Sequence, residues 1–147
     1  FVNKNVNTIV KDVVNLLSTE AKLKNTKINL TELNQFDAYC NDGQLKQVFI
    51  NVLKNALEAI TTNGEVNITV EDKNEDFFAV KFEDNGCGID ETRLKHIGEP
   101  FYSVKEKGIG LGMTVSYRIM ATHRGSINVS SQVDVGTSVE IILPKVK

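Results

Sequence analysis

Two asparagines, Asn51 and Asn55, lie one helical turn apart in the stretch NVLKNALEAI, whose apolar residues have the spacing of an amphipathic helix. Asparagine is a weak helix former because its amide competes for backbone hydrogen bonds, so two on one side of a helix need an explanation. At about 100° per residue, both flank the apolar arc, where a pocket could open. An amide oxygen is a neutral ligand that suits Mg²⁺ shared with phosphates. From the helix alone, ordinary boundary residues remain the simpler alternative.

A second motif, FEDNGCGID, follows an alternating apolar strand that ends at Phe82. Asp84 therefore stands where a strand runs out into a turn, which is a frequent place for a side chain that reads a ligand. Gly86 and Gly88 allow positive φ and a close approach of backbone to ligand. Taken by itself, the same stretch is also compatible with a plain Asp-Asn-Gly turn.

A third motif, KGIGLGM, places Gly108, Gly110 and Gly112 directly before a predicted helix. Exposed N–H groups at the start of such a helix bind anions, and Lys105 and Lys107 add positive charge upstream. The motif is neither GxxxxGK[ST] nor a GxGxxG that follows a strand. A P-loop or Rossmann site is therefore excluded, although a GxGxG motif alone is weak.

The order of the motifs between Asn51 and Gly112 is what makes the set specific. In that order they resemble the ATP-binding catalytic domain of sensor histidine kinases, in the GHKL (Bergerat-fold) superfamily. NVLKNALEA is similar to the asparagine box, DNGCGI to the first glycine box, EPFY to the phenylalanine box and GIGLGM to the second glycine box. The resemblance covers roughly residues 4–144, and GEPFYSVKEKG is most similar to sporulation-type kinases of spore-forming Gram-positive bacteria.

The resemblance implies a role for each matching residue. Asn55 is expected to ligate the Mg²⁺ that bridges the ATP phosphates, with Asn51 supporting the metal or its waters. Asp84 is expected to accept a hydrogen bond from the exocyclic amine of adenine, and Thr137 to reach the same pocket through its hydroxyl or a water. The remaining expected ATP-binding residues are those of the glycine boxes, the lid and its charges: Gly86, Gly88, Phe101, Lys105, Lys107, Gly108, Gly110, Leu111 and Gly112.

The elements that must position these residues can be predicted from hydrophobic periodicity. The sequence predicts α+β architecture, a two-layer sandwich with helices on one face of a mixed, mostly antiparallel sheet (Bergerat fold). It predicts one domain over residues 1–147, with 1–8 as a connector from a missing dimerisation and phosphoacceptor domain and 97–109 as the ATP lid. Predicted helices cover 5–25, 41–62, 90–97 and 113–123, with Val115, Ile119 and Met120 inward, and predicted strands cover 26–33, 36–40, 65–71, 77–84 and 125–144.

Composition excludes several classes of protein. A net charge of −2 gives no electrostatic argument for nucleic acid or a membrane surface, and no apolar run approaches the roughly 20 residues that span a bilayer. Cys40 and Cys87 lie far apart without a CxxC motif, so we expect free thiols in a cytoplasmic protein, although the full kinase could be membrane-anchored. His96 and His123 are expected at the surface or its boundary, because the family's phosphoacceptor lies on a separate, preceding domain.

The resemblance implies a catalytic domain that binds ATP-Mg²⁺ and donates the γ-phosphate to a histidine of its own dimerisation domain, with a response regulator as partner of the full kinase. A self-contained ATP hydrolase is less consistent with the sequence, because those relatives place a glutamate where this chain has Asn51. A serine-kinase anti-sigma factor and a degenerate docking module without nucleotide remain open alternatives. Intact Asn55, Asp84 and loop glycines argue against the second of these.

Overall fold

The computed structural model describes residues 1–95 and 111–146. A five-stranded sheet in the order β2-β4-β5-β7-β6 is joined by a small two-stranded sheet, β1-β3, and all pairs are antiparallel except β2 with β4. This α+β architecture confirms the predicted fold class. In chain order the elements are β1 Val2–Asn5, α1 Val6–Leu16, α2 Ser18–Leu23, β2 Lys27–Glu32, β3 Asp37–Cys40, α3 Asp42–Glu58, β4 Glu65–Asp72, β5 Phe77–Asp84, α4 Glu91–Leu94, α5 Leu111–Thr122, β6 Ser126–Gln132 and β7 Gly136–Pro144.

Helix α3 forms the centre of the core, where it contacts α1, α5 and strand β5. Its start is capped by Asn41, whose Oδ1 accepts from the backbone N–H of Gln44 at 3.0 Å. Its apolar arc packs on alternate residues of β5, so Phe49 and Phe82 have ring centroids 5.9 Å apart. The buried residues of the helix are Leu45, Val48, Phe49, Val52, Leu53, Ala56 and Leu57.

The end of α3 differs from the prediction, which placed it at Asn63-Gly64. The helix ends at Glu58 instead. The Nζ of Lys24 donates to the carbonyl oxygens of Leu57, at 2.6 Å, and Ile60, at 2.9 Å. A lysine from the α2–β2 connection thus donates to carbonyls at and just beyond the end of the helix, where the intrahelical donors run out.

Helix α5 turns a different face to the core than its apolar residues suggested. Val115, predicted inward, is 38% exposed, whereas Ser116 is fully buried. The prediction for Val115 was therefore wrong, while Ile119 and Met120 are buried as expected. Ser116 meets α3 at Asn51, whose Nδ2 donates to Ser116 Oγ at 3.4 Å. A small polar residue at this contact satisfies the Asn51 amide, which a valine could not do.

His123 is buried, with 4% exposure, which corrects the expectation that it lies at the surface or boundary. Its Nε2 accepts from the backbone N–H of Asn41 at 3.1 Å, and its Nδ1 lies 2.8 Å from the carbonyl oxygen of Ile119. Because Nε2 accepts, Nδ1 carries the proton and donates to Ile119. A neutral imidazole therefore joins the start of α3 to the end of α5. His96 lies outside the described residues.

Neither Cys40, which is buried, nor Cys87, which is half-buried, is part of a disulfide, as predicted. Among the helices that the structure describes, none has the length and apolar character to cross a membrane.

Candidate functional site

A transverse row of paired residues crosses the large sheet and changes from apolar to polar along its length. Asp84 on β5 faces Thr137 on β7, and Thr137 faces Ser131 on β6. On its other side Asp84 faces Val66 of β4. Because directly paired residues point to the same face of a sheet, the carboxyl and the two hydroxyls lie side by side on the face that carries α3 and α5. This polar end of the row borders a pocket.

The pocket lies between α3 and the β5–β7–β6 part of the sheet. Three of its lining side chains carry polar oxygen or nitrogen: Asn55, Asp84 and Thr137. A mostly apolar cleft with a few convergent polar groups is the usual form of a small-molecule site. The other lining residues are Val52, Ala56, Ala59, Phe82, Cys87, Gly88, Ile89, Met113, Val129 and Val139.

Asp84 is the half-buried acid of this pocket. Its Oδ1 accepts from the backbone N–H of Gly86 at 2.8 Å. Burial raises the pKa of Asp84, and the backbone N–H groups of Gly86 and Thr137 offset part of that increase by favouring the ionised form. A carboxylate can accept several hydrogen bonds, so Asp84 keeps acceptor capacity for a ligand donor.

The loop of the first glycine motif is tied to two other parts of the fold. The backbone N–H of Cys87 donates to the carbonyl oxygen of Ala59 at 3.0 Å, and the carbonyl oxygen of Cys87 accepts from Asp134 at 2.8 Å. A Cβ at Gly86 would lie 2.7 Å from the Ala59 oxygen, and Gly88 has φ of 75° with a Cβ position 2.2 Å from the Gln132 oxygen. Both glycines are thus required by close backbone packing. Their predicted role beside the base stays a prediction.

The two asparagines of α3 have different surroundings. Asn55 lines the pocket, and within the described parts of the chain its amide forms no hydrogen bond. Asn51 lies one turn earlier, against Ser116 of α5. Asn55 therefore has its amide available for a ligand, while Asn51 fixes the contact between two helices.

Ser131 was not among the predicted site residues, although the sequence contained a signal for it. Strand β6 alternates, and Ser131 shares the inward phase of Ile127 and Val129. Its Oγ accepts from the backbone N–H of Ile89 at 2.7 Å, which anchors the end of the glycine loop to the sheet. The signal was overlooked because a serine at the end of a strand resembles an ordinary turn residue.

The structure brings together Asn55, Asp84, Gly88 and Thr137 around one pocket, with Gly86 hydrogen-bonded to Asp84 and Asn51 against α5. The predicted lid at 97–109 and five predicted ligand residues, Phe101, Lys105, Lys107, Gly108 and Gly110, lie outside the described residues. Leu111 and Gly112 form the first two positions of α5. In residues 1–95 and 111–146, no three His, Cys, Asp or Glu side chains are grouped to hold a metal ion.

The chain belongs to the family described as histidine kinase-, DNA gyrase B- and HSP90-like ATPases, whose sequence model matches residues 40–147. Within that family it is an ATP-binding catalytic domain of the histidine kinase type, as predicted. It is 42% identical over 142 residues to sporulation kinase E of Bacillus subtilis, covering 96% of this chain and 19% of that protein. The chain thus spans about a fifth of that relative, and the similarity to sporulation kinases is confirmed.

Comparison with solved structures also identifies the fold as that of a histidine kinase catalytic domain. The nucleotide-free catalytic domain of histidine kinase ThkA superposes with a TM-score of 0.88 at 28% identity, covering 99% of this chain and 95% of that one. ThkA in complex with the response regulator protein TrrA gives a TM-score of 0.84 at 25% identity, covering 99% of this chain and 42% of that one.

Proposed function

We propose that this domain holds ATP-Mg²⁺ in the pocket between α3 and β5–β7 and delivers its γ-phosphate to a histidine on another domain of the same kinase. The observation that carries the proposal is the convergence of Asp84, Thr137 and Asn55, from three separate elements, on one otherwise apolar pocket. Two acceptor groups at one end and a neutral amide on the helix wall suit a ligand that has an amine-bearing base and a metal-bound phosphate chain.

Adenine fits the end of the pocket that holds Asp84. The exocyclic amine of adenine is a donor, and the Asp84 carboxylate accepts while Gly86 secures its Oδ1. The apolar lining, including Ile89, Met113 and Val139, suits the faces of a flat base. Guanine presents a carbonyl oxygen in place of the amine, so two acceptors would face each other in a site of low water content.

Asn55 suits Mg²⁺ because its amide oxygen is a hard neutral ligand and forms no hydrogen bond with the described part of the chain. A single protein ligand is sufficient when phosphates and water complete the octahedron. When bound, the metal neutralises phosphate charge during transfer. Asn51 would act through the packing of α3 on α5, since its amide donates to Ser116.

Transfer breaks the bond between the γ-phosphorus and the bridging oxygen of ADP and forms a phosphorus–nitrogen bond to an imidazole, whose proton passes to solvent. The acceptor nitrogen must stand in line with that bond. His123 has both ring nitrogens engaged inside the fold, with Asn41 and Ile119, so it is not available as the acceptor. With His123 unavailable, we assign the acceptor to a separate dimerisation domain by similarity to histidine kinases and, by similarity to ThkA, propose a response regulator as partner of the full kinase.

Calorimetric titration of the chain with ATP, with and without Mg²⁺, tests the proposal. We expect binding that strengthens with Mg²⁺ and a clear preference for ATP over GTP. Absence of binding under both conditions would identify a docking module instead. Rapid phosphate release by the isolated chain would favour a self-contained hydrolase.

A further inference from the structure

We propose that Ser131 is a positioning residue for base recognition: its hydroxyl oxygen accepts a hydrogen bond from the Thr137 hydroxyl, so that Thr137 presents only oxygen lone pairs to the pocket. The inference rests on the proposed function, because it specifies how the pocket selects its base. It concerns a residue on β6 that does not line the pocket itself.

Ser131 Oγ has three polar neighbours. It lies 2.7 Å from the backbone nitrogen of Ile89, 3.0 Å from the carbonyl oxygen of Gly136 and 2.7 Å from Oγ1 of Thr137. A hydroxyl has one proton to donate and two lone pairs that accept. The three contacts therefore match the full hydrogen-bonding capacity of this serine.

Only one arrangement of protons satisfies all three contacts at once. The backbone N–H of Ile89 can only donate, and the Gly136 carbonyl can only accept. The single proton of Ser131 must therefore go to Gly136, and Thr137 must be the donor in the contact between the two hydroxyls. The Thr137 proton thus points along β6–β7 and away from a ligand.

The consequence is a pocket wall that consists of acceptors. Asp84 and Thr137 lie opposite each other on β5 and β7, and both line the pocket. The ionised Asp84 carboxylate can accept hydrogen bonds from amine N–H groups or from an ordered water. The Thr137 hydroxyl oxygen can do the same, because its own proton is donated to Ser131. The oxo oxygen that replaces the amine in an oxo base meets these acceptors, which is the kind of mismatch that a built hydrogen-bonding site rejects strongly.

Removing the Ser131 hydroxyl would free the Thr137 proton to rotate toward the ligand. We expect Ser131→Ala to narrow the preference for ATP over ITP by at least about fivefold, the change that one exchanged hydrogen bond gives. ITP is the suitable probe, because it differs from ATP only at the amine and the adjoining ring nitrogen. Dissociation constants for both nucleotides and a melting curve are measured on each variant.

A double-mutant cycle with Thr137→Val shows whether Ser131 acts through Thr137. In the Thr137→Val background, Ser131→Ala should leave the ATP-to-ITP ratio unchanged. Ser130→Ala is the matched control, because Ser130 is exposed, precedes Ser131 on the strand and has a side chain that forms no hydrogen bond within the described chain. Ser131→Cys, whose thiol is only a weak donor and acceptor, replaces the alanine variant if that variant does not fold.

The possible outcomes distinguish this inference from the proposed function. A lower melting temperature with a wild-type ATP-to-ITP ratio would leave Ser131 a purely structural role and overturn the inference. The inference would also be overturned if Ser131→Ala changed the ATP-to-ITP ratio equally in the wild-type and the Thr137→Val backgrounds. If the wild-type chain binds neither nucleotide, the proposed function itself is wrong.

Discussion

Asp84 and Thr137 are directly opposite residues of β5 and β7, and the backbone N–H of Thr137 helps to hold the Asp84 carboxylate in its ionised form. Burial nevertheless raises the pKa of Asp84. The ionised carboxylate therefore lowers the stability of the empty domain, because desolvation disfavours its charge. A ligand that donates a hydrogen bond to the carboxylate offsets this unfavourable free energy.

We expect Asp84→Asn to abolish most ATP binding and yet to stabilise the empty domain at neutral pH. A raised folded-state pKa contributes stability below the unfolded value, about 3.9, and that contribution is lost as pH rises through the folded pKa. The advantage of the asparagine variant should therefore be absent near pH 3.9 and grow toward pH 7. Melting temperatures over this range test the sign, with Glu83→Gln, an exposed neighbour, as control. A variant less stable than wild type at pH 7 would contradict the expectation.

Asn55→Ala should weaken binding of ATP-Mg²⁺ much more than binding of adenosine. The amide has no hydrogen bond to lose within the described chain, and the buried arc of α3 is untouched, so the free energy of unfolding should change by less than about 1 kcal/mol. Titrations of both ligands with and without Mg²⁺ test this, with the exposed Lys54→Ala as control. Loss of the fold in the variant would indicate that Asn55 has a structural role.

Lys24→Met should lower the free energy of unfolding by about 2 kcal/mol, because hydrogen bonds to a charged group contribute more than neutral ones and the Leu57 and Ile60 carbonyls lose a donor. The methionine retains most of the side-chain volume. Urea unfolding of Lys24→Met and of the exposed Lys22→Met provides the comparison. Equal urea midpoints for the two variants would contradict the prediction, because they would show that water bonds to the carbonyls as well as the lysine does.

Incubated alone with ATP-Mg²⁺, the chain should bind nucleotide without labelling itself. The Nε2 of His123 accepts from Asn41 inside the core and its Nδ1 faces Ile119, so neither nitrogen reaches a phosphate without local unfolding. Addition of the matching dimerisation domain should give acid-labile phosphate on that domain alone. Acid-labile phosphate on His123 or His96 of the isolated chain would refute this division of roles.

The parts of the fold that depend on local pattern could be predicted from the sequence. Periodicity predicted α3, the β4–β5 hairpin and the final strand pair, and the resemblance to histidine kinases implied that Asn55, Asp84 and Gly88 belong to one site, where they line one pocket. The roles of these residues toward a nucleotide stay predictions. Local pattern was sufficient here because each motif lies at the end of a strand or on one arc of a helix.

Features that depend on partners distant in the sequence could not be predicted. Burial of His123 depends on a backbone N–H at Asn41, and the end of α3 depends on Lys24. The inward position of Ser116 depends on Asn51 across the helix interface. In each case a polar residue is positioned by hydrogen bonds to a residue distant in the sequence, which hydrophobic periodicity does not report.

The glycine loop between β5 and α4 is fastened at Cys87 to both the end of α3 and the turn between β6 and β7. Any partial opening that detaches the β6 edge of the sheet therefore destroys the base pocket along with it. Occupancy of the pocket and closure of that edge are thermodynamically linked, so ATP at a hundred times its dissociation constant should make such an opening less favourable by about 2.7 kcal/mol. This edge of the sheet should therefore resist proteolysis better when nucleotide is bound than in the empty domain.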